Sequence, residues 1–281
     1  MITALLAGAL AMTIPQQQMD TTFAVRPGGE LNVDVMNGTI TINTWDRDAM
    51  RVHASGSARD VDIDHDGAEV DIDVESRGIP RSVTLEITVP RSYSVAVDGL
   101  NIAVIVENLR GSAAIENVEG AIVVRGVTGD VKVESVSGSV TIENVRGALS
   151  VATVNQAIRI TGSRGTIEAE TVNGSIVMRR VDSADVEAST INGLVEYLGT
   201  VHDGGSYFLG THNGRITMGI PAQANASVAV DTQNGRVQSE FAVRVGGNGQ
   251  RDFSFTVGSG SARVELESYN GTINLVRPTG R

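Results

Sequence analysis

Between Pro90 and Arg179 the chain repeats itself every nine residues, through ten consecutive units. Four of them read NVEGAIVVR (117–125), GVTGDVKVE (126–134), SVSGSVTIE (135–143) and NVRGALSVA (144–152). The sixth position is aliphatic in every unit, from Val95 through Val131 and Ile158 to Ile176, and the eighth is apolar from Val97 to Met178. The fourth is glycine in seven units, at Gly111, Gly120, Gly129, Gly138, Gly147, Gly165 and Gly174. A fixed short period of this kind marks a repeat architecture, in which each unit buries its apolar face only against its neighbours.

Positions 6 and 8 share one face of a strand, with polar residues beside them on the other. β-Branched residues dominate, so each unit holds a strand of about five residues and a turn of about four. Glycine and Asn-Gly supply the positive φ that a sharp turn needs. Position 2 is mostly Val or Leu, at Leu109, Val118, Val127, Val136, Val145 and Val172. It falls one residue later than the pleat would place the next inward side chain. The parity therefore breaks in every unit, as it does where a corner turns the chain back over the same core. Positions 2, 6 and 8 are accordingly predicted to point inward, three buried aliphatics per unit.

The turns SVSG (135), TVNQ (153) and TVNG (171) recur at every second unit, with NVRG (144) and GSRG (162) between them. Two units thus make one coil, and the chain is predicted to be all-β, a parallel two-sheet β-solenoid of about 18 residues per coil. Aromatics are only 4% of the 281 residues, which suits a thin aliphatic core. The same turn returns as TING (190–193), THNG (211–214), TQNG (232–235) and SYNG (268–271), so the coils lengthen after 180. Loops at 221–226 and 246–251 absorb the excess.

Residues 20–89 alternate less regularly, with strands at LNVDV, TITIN, DVDID, EVDIDVE and VTLEITV. They read as an N-terminal β cap covering an otherwise open sheet edge, with Trp45 anchoring its core. Residues 90–281 are the solenoid, continuous with that cap. The opening segment MITALLAGALAMTI is apolar but too short to span a membrane. Ala9-Leu10-Ala11 is an A-x-A-like cleavage site, so 1–11 reads as a signal peptide and 12–19 as a linker. No Lys or Arg precedes the apolar run, and the alternative is a buried strand of a cytosolic protein. The expected location is exported: periplasmic, associated with the cell envelope, or secreted. No other stretch approaches the ~18 apolar residues of a spanning helix.

Acidic side chains number 33 against 22 basic ones, and this net charge of −11 excludes nucleic acid as a partner. With no cysteine, disulfides, zinc–thiolate sites and thiol catalysis are excluded. Lys132 is the sole lysine.

The sharpest chemical pattern is DIDHDGAEVDID (62–73), where Asp62, Asp64, Asp66 and Gly67 match the start of a calcium loop and Asp73 occupies its twelfth place. Position 12 is Asp instead of the longer bidentate Glu, and the flanks alternate as strands. The same residues therefore also read as a hairpin with outward aspartates. His53, His65, His202 and His212 lack a metal-ligand spacing, although His202 and Asp203 are close enough to His212 to meet across a coil. Glu116, Glu134, Glu168 and Glu170 share one predicted sheet face, the arrangement a polysaccharide-processing β-helix would need, but they spread along the axis. Position 3 of alternate units sets Arg110, Thr128, Arg146 and Arg164 along one edge. That arginine row is a candidate interaction edge for an anionic envelope glycan or a partner's carboxylates. The opposite edge carries Asn101, Glu119, Ser137, Asn155, Asn173 and Asn192.

Three segments carry a family likeness: LNVDVMNGTITINTWDRDAMRV (31–52), the nine-residue tract, and ARVELESYNGTINLV (262–276). Through them the chain resembles the bacterial putative-adhesin family of envelope β-solenoid proteins, whose function is undetermined. The resemblance implies a β-solenoid and an envelope location, and brings no catalytic residues. The expected function is a non-enzymatic structural or interaction module of the envelope, without a cofactor. The alternatives are a calcium-dependent binding module and a polysaccharide-processing enzyme.

Overall fold

The computed structural model describes residues 18–56, 60–74, 82–242 and 253–278, and there the chain is all-β. The expected signal peptide, 1–11, lies outside the described residues. Gln18 and Met19, at the end of the expected linker, already belong to a strand.

The repeat tract forms two parallel ladders. One contains β8 (Ala113–Glu119), β10 (Val131–Ser137), β12 (Leu149–Thr153) and β14 (Ile167–Thr171). The other contains β9 (Ile122–Arg125), β11 (Val140–Glu143), β13 (Ile158–Thr161) and β15 (Ile176–Arg179). Val131 pairs with Leu149 and Val140 with Ile158, so partners in both ladders stand two repeat units apart. At the N-terminal side, β7 (Ser94–Glu107) is one long strand that pairs with both β8 and β9. At the other side β16 (Asp185–Leu198) pairs with both β14 and β15, and the offset has grown by one. The extra residue falls between Asp182, still bridged to Arg164, and Val186, paired with Ile167. The next long strand, β17 (Ser206–Gly219), lies on β16 at a wider offset still, Val186 facing Tyr207.

All twenty side chains at positions 6 and 8 of the ten units are buried, in one continuous aliphatic cluster. Each such side chain contributes roughly 1.5–3 kcal/mol of gross transfer free energy. Position 2 departs from expectation. Leu109, Val127, Val145 and Val181 are buried, but Val118, Val136, Val154 and Val172 are exposed. Turns of two kinds alternate along the repeat tract, and they break the pleat at different residues. At the first, which we call the sharp corner, position 1 is left-handed, with φ of 60° at Asn108, 65° at Gly126, 57° at Asn144, 66° at Gly162 and 52° at Arg180. That residue shifts the parity before position 2 and turns position 2 inward. At the other, the polar corner, no such residue intervenes and the pleat continues. Asn117, Ser135, Thr153 and Thr171 at position 1 are then buried, and the aliphatic that follows faces out. Units beginning at the polar corner therefore bury two aliphatics and one short polar side chain.

Glycine at position 4 is also not required only for its φ. Gly138 lacks a positive φ, but a Cβ there would lie 1.9 Å from the carbonyl oxygen of Gly120 in the adjacent coil. Close stacking of coils demands glycine at that point.

Stacking order differs from chain order at both ends. β2 (Glu30–Trp45) pairs in parallel with β7 on one side, and with β5 (Glu69–Val74) and β6 (Val83–Pro90) on the other. The last strand, β21 (Ala262–Val276), likewise inserts between β17 and the pair β18 (Ala226–Thr232) and β19 (Arg236–Ser239). The SYNG turn thus sits between THNG and TQNG. Antiparallel strands lie beyond: β1 (Gln18–Ala24) on β3 (Ala49–Gly56), β3 on β6, β4 (Val61–Asp66) on β5, and β20 (Phe253–Val257) on β18. Switching to antiparallel pairing ends the parallel ladders without presenting another coil-shaped edge.

Trp45 does not anchor the cap core. It is half-buried at the turn after β2, its indole N–H donating to the Ala49 carbonyl at 2.7 Å and the Arg47 guanidinium 5.1 Å from its ring centre. Among the described residues the fully buried rings are Tyr93, Tyr197 and Tyr207 instead.

Candidate functional site

The polar corner builds a long continuous row of exposed side chains. Stacking in register puts Met36, Leu100, Val118, Val136, Val154, Val172, Ile191, His212 and Tyr269 in one row. Every exposed large hydrophobic side chain among the described residues stands in this row, each 37–49% accessible. Near its end the His212 and Tyr269 rings stack 4.7 Å apart at 8°.

Two residues earlier on the same strands, and on the same outward face, runs a second row: Asp98, Glu116, Glu134, Ala152, Glu170, Ser189, Gly210, Glu267. A groove separates the rows. Its two depressions, about 500 and 560 Å³, share Ala152 and Thr153 and so form one channel across the coils. Short position 1 side chains make the floor. Asn117 Nδ2 donates to the Ile102 carbonyl at 2.8 Å, Thr190 Oγ1 to Gly174 O at 3.1 Å and Thr171 Oγ1 to Gln156 O at 3.3 Å. Each acceptor is the position 4 carbonyl two repeat units before, where the ladder toward the next strand is interrupted. On the far side of the apolar row, Asn155, Asn173, Asn192, Asn213 and Asn270 form a side-chain amide chain with steps of 2.9–3.2 Å.

The arginine edge lies at the sharp corner. Thr128, Arg146, Arg164 and Asp182 are joined by successive parallel bridges, and Thr128 N donates to the Leu109 carbonyl, which sets Arg110 beside Thr128. Arg110, Arg146 and Arg164 therefore do stack in one row. Arg164 is engaged, its Nε 3.1 Å from Asp182, whose other oxygen meets His202 Nε2 at 2.7 Å. His202 and His212 do not meet: the first belongs to this edge and the second to the apolar row. Asp203 instead accepts hydrogen bonds from Asn225 and Ser261, which hold its carboxyl below the usual range.

The aspartate-rich segment is a hairpin. Asp62 stands opposite Asp73, Asp64 opposite Asp71 and Asp66 opposite Glu69, with Gly67 left-handed in the turn. Among the described residues no group of three or more His, Asp or Glu is arranged to hold a metal. The four glutamates split between rows. Glu116, Glu134 and Glu170 flank the groove, while Glu168 sits one row away beside Ser150 and Lys132. Lys132 Nζ lies 2.8 Å from Glu134 and 3.9 Å from Glu116, and these carboxylates push its pKa up. Among the described residues Lys132 is the one cation paired with these glutamates, so that face carries an excess of carboxylates spread along the stack.

The exposed row is misread from sequence because position 2 looks alike at both corners. The signal lies one residue earlier and is partial: Asn or Gly precedes buried Leu109, Val127 and Val145, and Ser or Thr precedes most of the exposed ones, but Arg180 precedes buried Val181, and Gly99 and Asn117 precede exposed Leu100 and Val118.

No helix among the described residues is long and apolar enough to cross a membrane. No curated protein matches the chain in sequence. Solved structures do resemble it. A putative adhesin from Parabacteroides merdae ATCC 43184 is 10% identical over 93% of this chain and 97% of its own, with a TM-score of 0.50. A putative adhesin from Bacteroides fragilis NCTC 9343 is 12% identical over 92% and 97%, with a TM-score of 0.40. A putative lipid binding protein from Parabacteroides distasonis ATCC 8503 gives 10% identity over 92% and 97%, and a TM-score of 0.33. At these identities the likeness concerns fold alone. The sequence profile of one family spans residues 29–276, nearly the whole described chain, and the protein belongs to the Toastrack DUF4097 family.

Proposed function

We propose that the protein is a non-enzymatic, adhesin-like interaction module of the cell envelope. In this reading the two ladders are the two sheets of a β-solenoid in which two repeat units make one coil. Residues 20–89 cap it, and 1–11 direct export. The observation that carries the proposal is the stacking of every exposed large hydrophobic side chain of the described residues in one row along the coils. Rows of this length suit an extended partner held by many weak contacts. In situ crosslinking in the native cell, followed by fractionation, is the test. Recovery of crosslinked envelope protein or glycan is expected, and recovery of uncrosslinked chain in the cytosol would remove the reading. Turnover of envelope polysaccharide, abolished by Glu168→Gln or Glu170→Gln, would replace it with an enzyme.

The arginine edge offers a second contact face, favoured by the register that stacks Arg146 on Arg164. An Arg110→Glu/Arg146→Glu/Arg164→Glu variant that melts normally but is lost from isolated envelopes would assign it to an anionic partner. For the calcium alternative at Asp62, Asp64, Asp66 and Asp73, equal melting midpoints in calcium and in chelator would end it.

A further inference from the structure

We infer that the groove at the polar corner is a docking channel for an extended cationic polypeptide segment in which basic and apolar residues alternate. The inference rests on the interaction-module reading and names that module's partner. Its walls differ in chemistry. One is the apolar row from Leu100 to Tyr269; the other bears Asp98, Glu116, Glu134, Glu170 and Glu267. Among the described residues no ion pair engages Asp98, Glu170 or Glu267, and Lys132 serves only Glu116 and Glu134.

The rows lie two residues apart on each strand, so about 6.7 Å separates them. An extended chain laid along the channel sends successive side chains left and right. Alternate residues would therefore meet the apolar wall and the carboxylate wall. The length fixes the class of ligand. From Asp98 on β7 to Glu267 on β21 there are seven interstrand steps of ~4.8 Å, about 34 Å, the span of about ten extended residues. A small polyamine covers only a fraction of that. A second copy of this chain would bring two carboxylate rows and two charges of −11 together, and an anionic membrane would meet the same repulsion.

The test is fluorescence anisotropy of a labelled decapeptide of alternating lysine and valine, titrated with the full chain. Saturable binding is expected, weakened by salt because the charge pairs are exposed. Val136→Thr/Val154→Thr/Val172→Thr keeps side-chain shape and β-propensity. Glu116→Gln/Glu134→Gln/Glu170→Gln keeps size. Each triple variant, melting as wild type, should bind about tenfold more weakly or worse. An undiminished affinity in the valine-row variant would overturn the proposal. So would a dimer in sedimentation that this variant dissolves, which would give the groove to a second copy. Neither result would alter the crosslinks recovered from cells, so the broader reading would fail or survive separately.

Discussion

The two corners of a coil have nearly the same sequence and opposite outcomes. Asn144-Val145 and Ser135-Val136 occupy equivalent places in consecutive units, yet Val145 is buried and Val136 is 42% accessible. A nine-residue unit contains an odd number of pleats and must shift its inward face once. The sharp corner makes that shift at a left-handed residue before the aliphatic, and the polar corner makes it after. One backbone dihedral therefore decides whether a valine is buried in the core or stands exposed to solvent. Burial and exposure of the same residue type are divided between corners by phase.

The strongest way to break this comparison is to place a charge at each valine. Val145→Asp would bury an unpaired carboxylate between Val127 and Ser163 and is expected to cost more than about 4 kcal/mol. Val136→Asp should change stability by less than about 0.5 kcal/mol. Chemical denaturation of both variants measures the difference. Equal losses would mean that the phase assignment is wrong.

A second test uses the sharp corner where the coils widen. There Tyr197 and Tyr207 fill the interior, 5.5 Å apart, donating to Thr200 O at 2.6 Å and Ser183 O at 2.8 Å. Burial is the main force raising both phenol pKa values above their ordinary range, and the neighbouring ring and Asp182 add to it at Tyr197. Each phenol stays protonated in the folded chain but ionises near pH 10 when unfolded. Their contribution is complete below that pH and falls as pH rises above it. Melting midpoints should drop steeply above about pH 10. Tyr197→Phe should cost about 1 kcal/mol at neutral pH and flatten that alkaline fall.

The inward strand positions were legible from the sequence because period and hydrophobicity agree at Val131, Val140 and their equivalents. The corners were legible only in part. Asn108, Gly126, Asn144 and Gly162 are residue types that tolerate a left-handed backbone, but Arg180 is not, and its φ of 52° comes from the coil around it. The places of β2 and β21 were not legible, since a turn such as SYNG or TQNG states its own shape and not which coil it stacks on. The groove arises only when coils are stacked, so no single unit encodes it. Trp45 is misplaced when aromatic size is taken as burial, whereas the fully buried rings among the described residues belong to three tyrosines scattered along the sequence.

Arg180 also supplies a smaller test. Arg180→Gly removes the left-handed penalty and should stabilise the chain by about 1 kcal/mol, whereas Asn144→Ala should destabilise it by a similar amount. Thermal melts of the pair, read against Val136→Thr as a neutral control, check this. A gain at Arg180 without a loss at Asn144 would show that the sharp corner does not depend on its left-handed residue.

The smallest effect lies in the floor of the polar corner. Thr190 Oγ1 donates to Gly174 O, but the buried hydroxyls of Ser135 and Thr153 have no hydrogen-bond partner. Isosteric replacement separates the two cases. Thr190→Val leaves the Gly174 carbonyl without its donor and should cost about 1 kcal/mol. Thr153→Val removes a desolvated hydroxyl that gains nothing in return, and should be neutral or stabilising by up to about 1 kcal/mol. Both side chains are β-branched, so strand propensity is unchanged and the difference reports the hydrogen bond. If Thr153→Val were destabilised as much as Thr190→Val, every rung of the floor would be tying successive coils together through its hydroxyl. The polar corner would then be as structural as the sharp one.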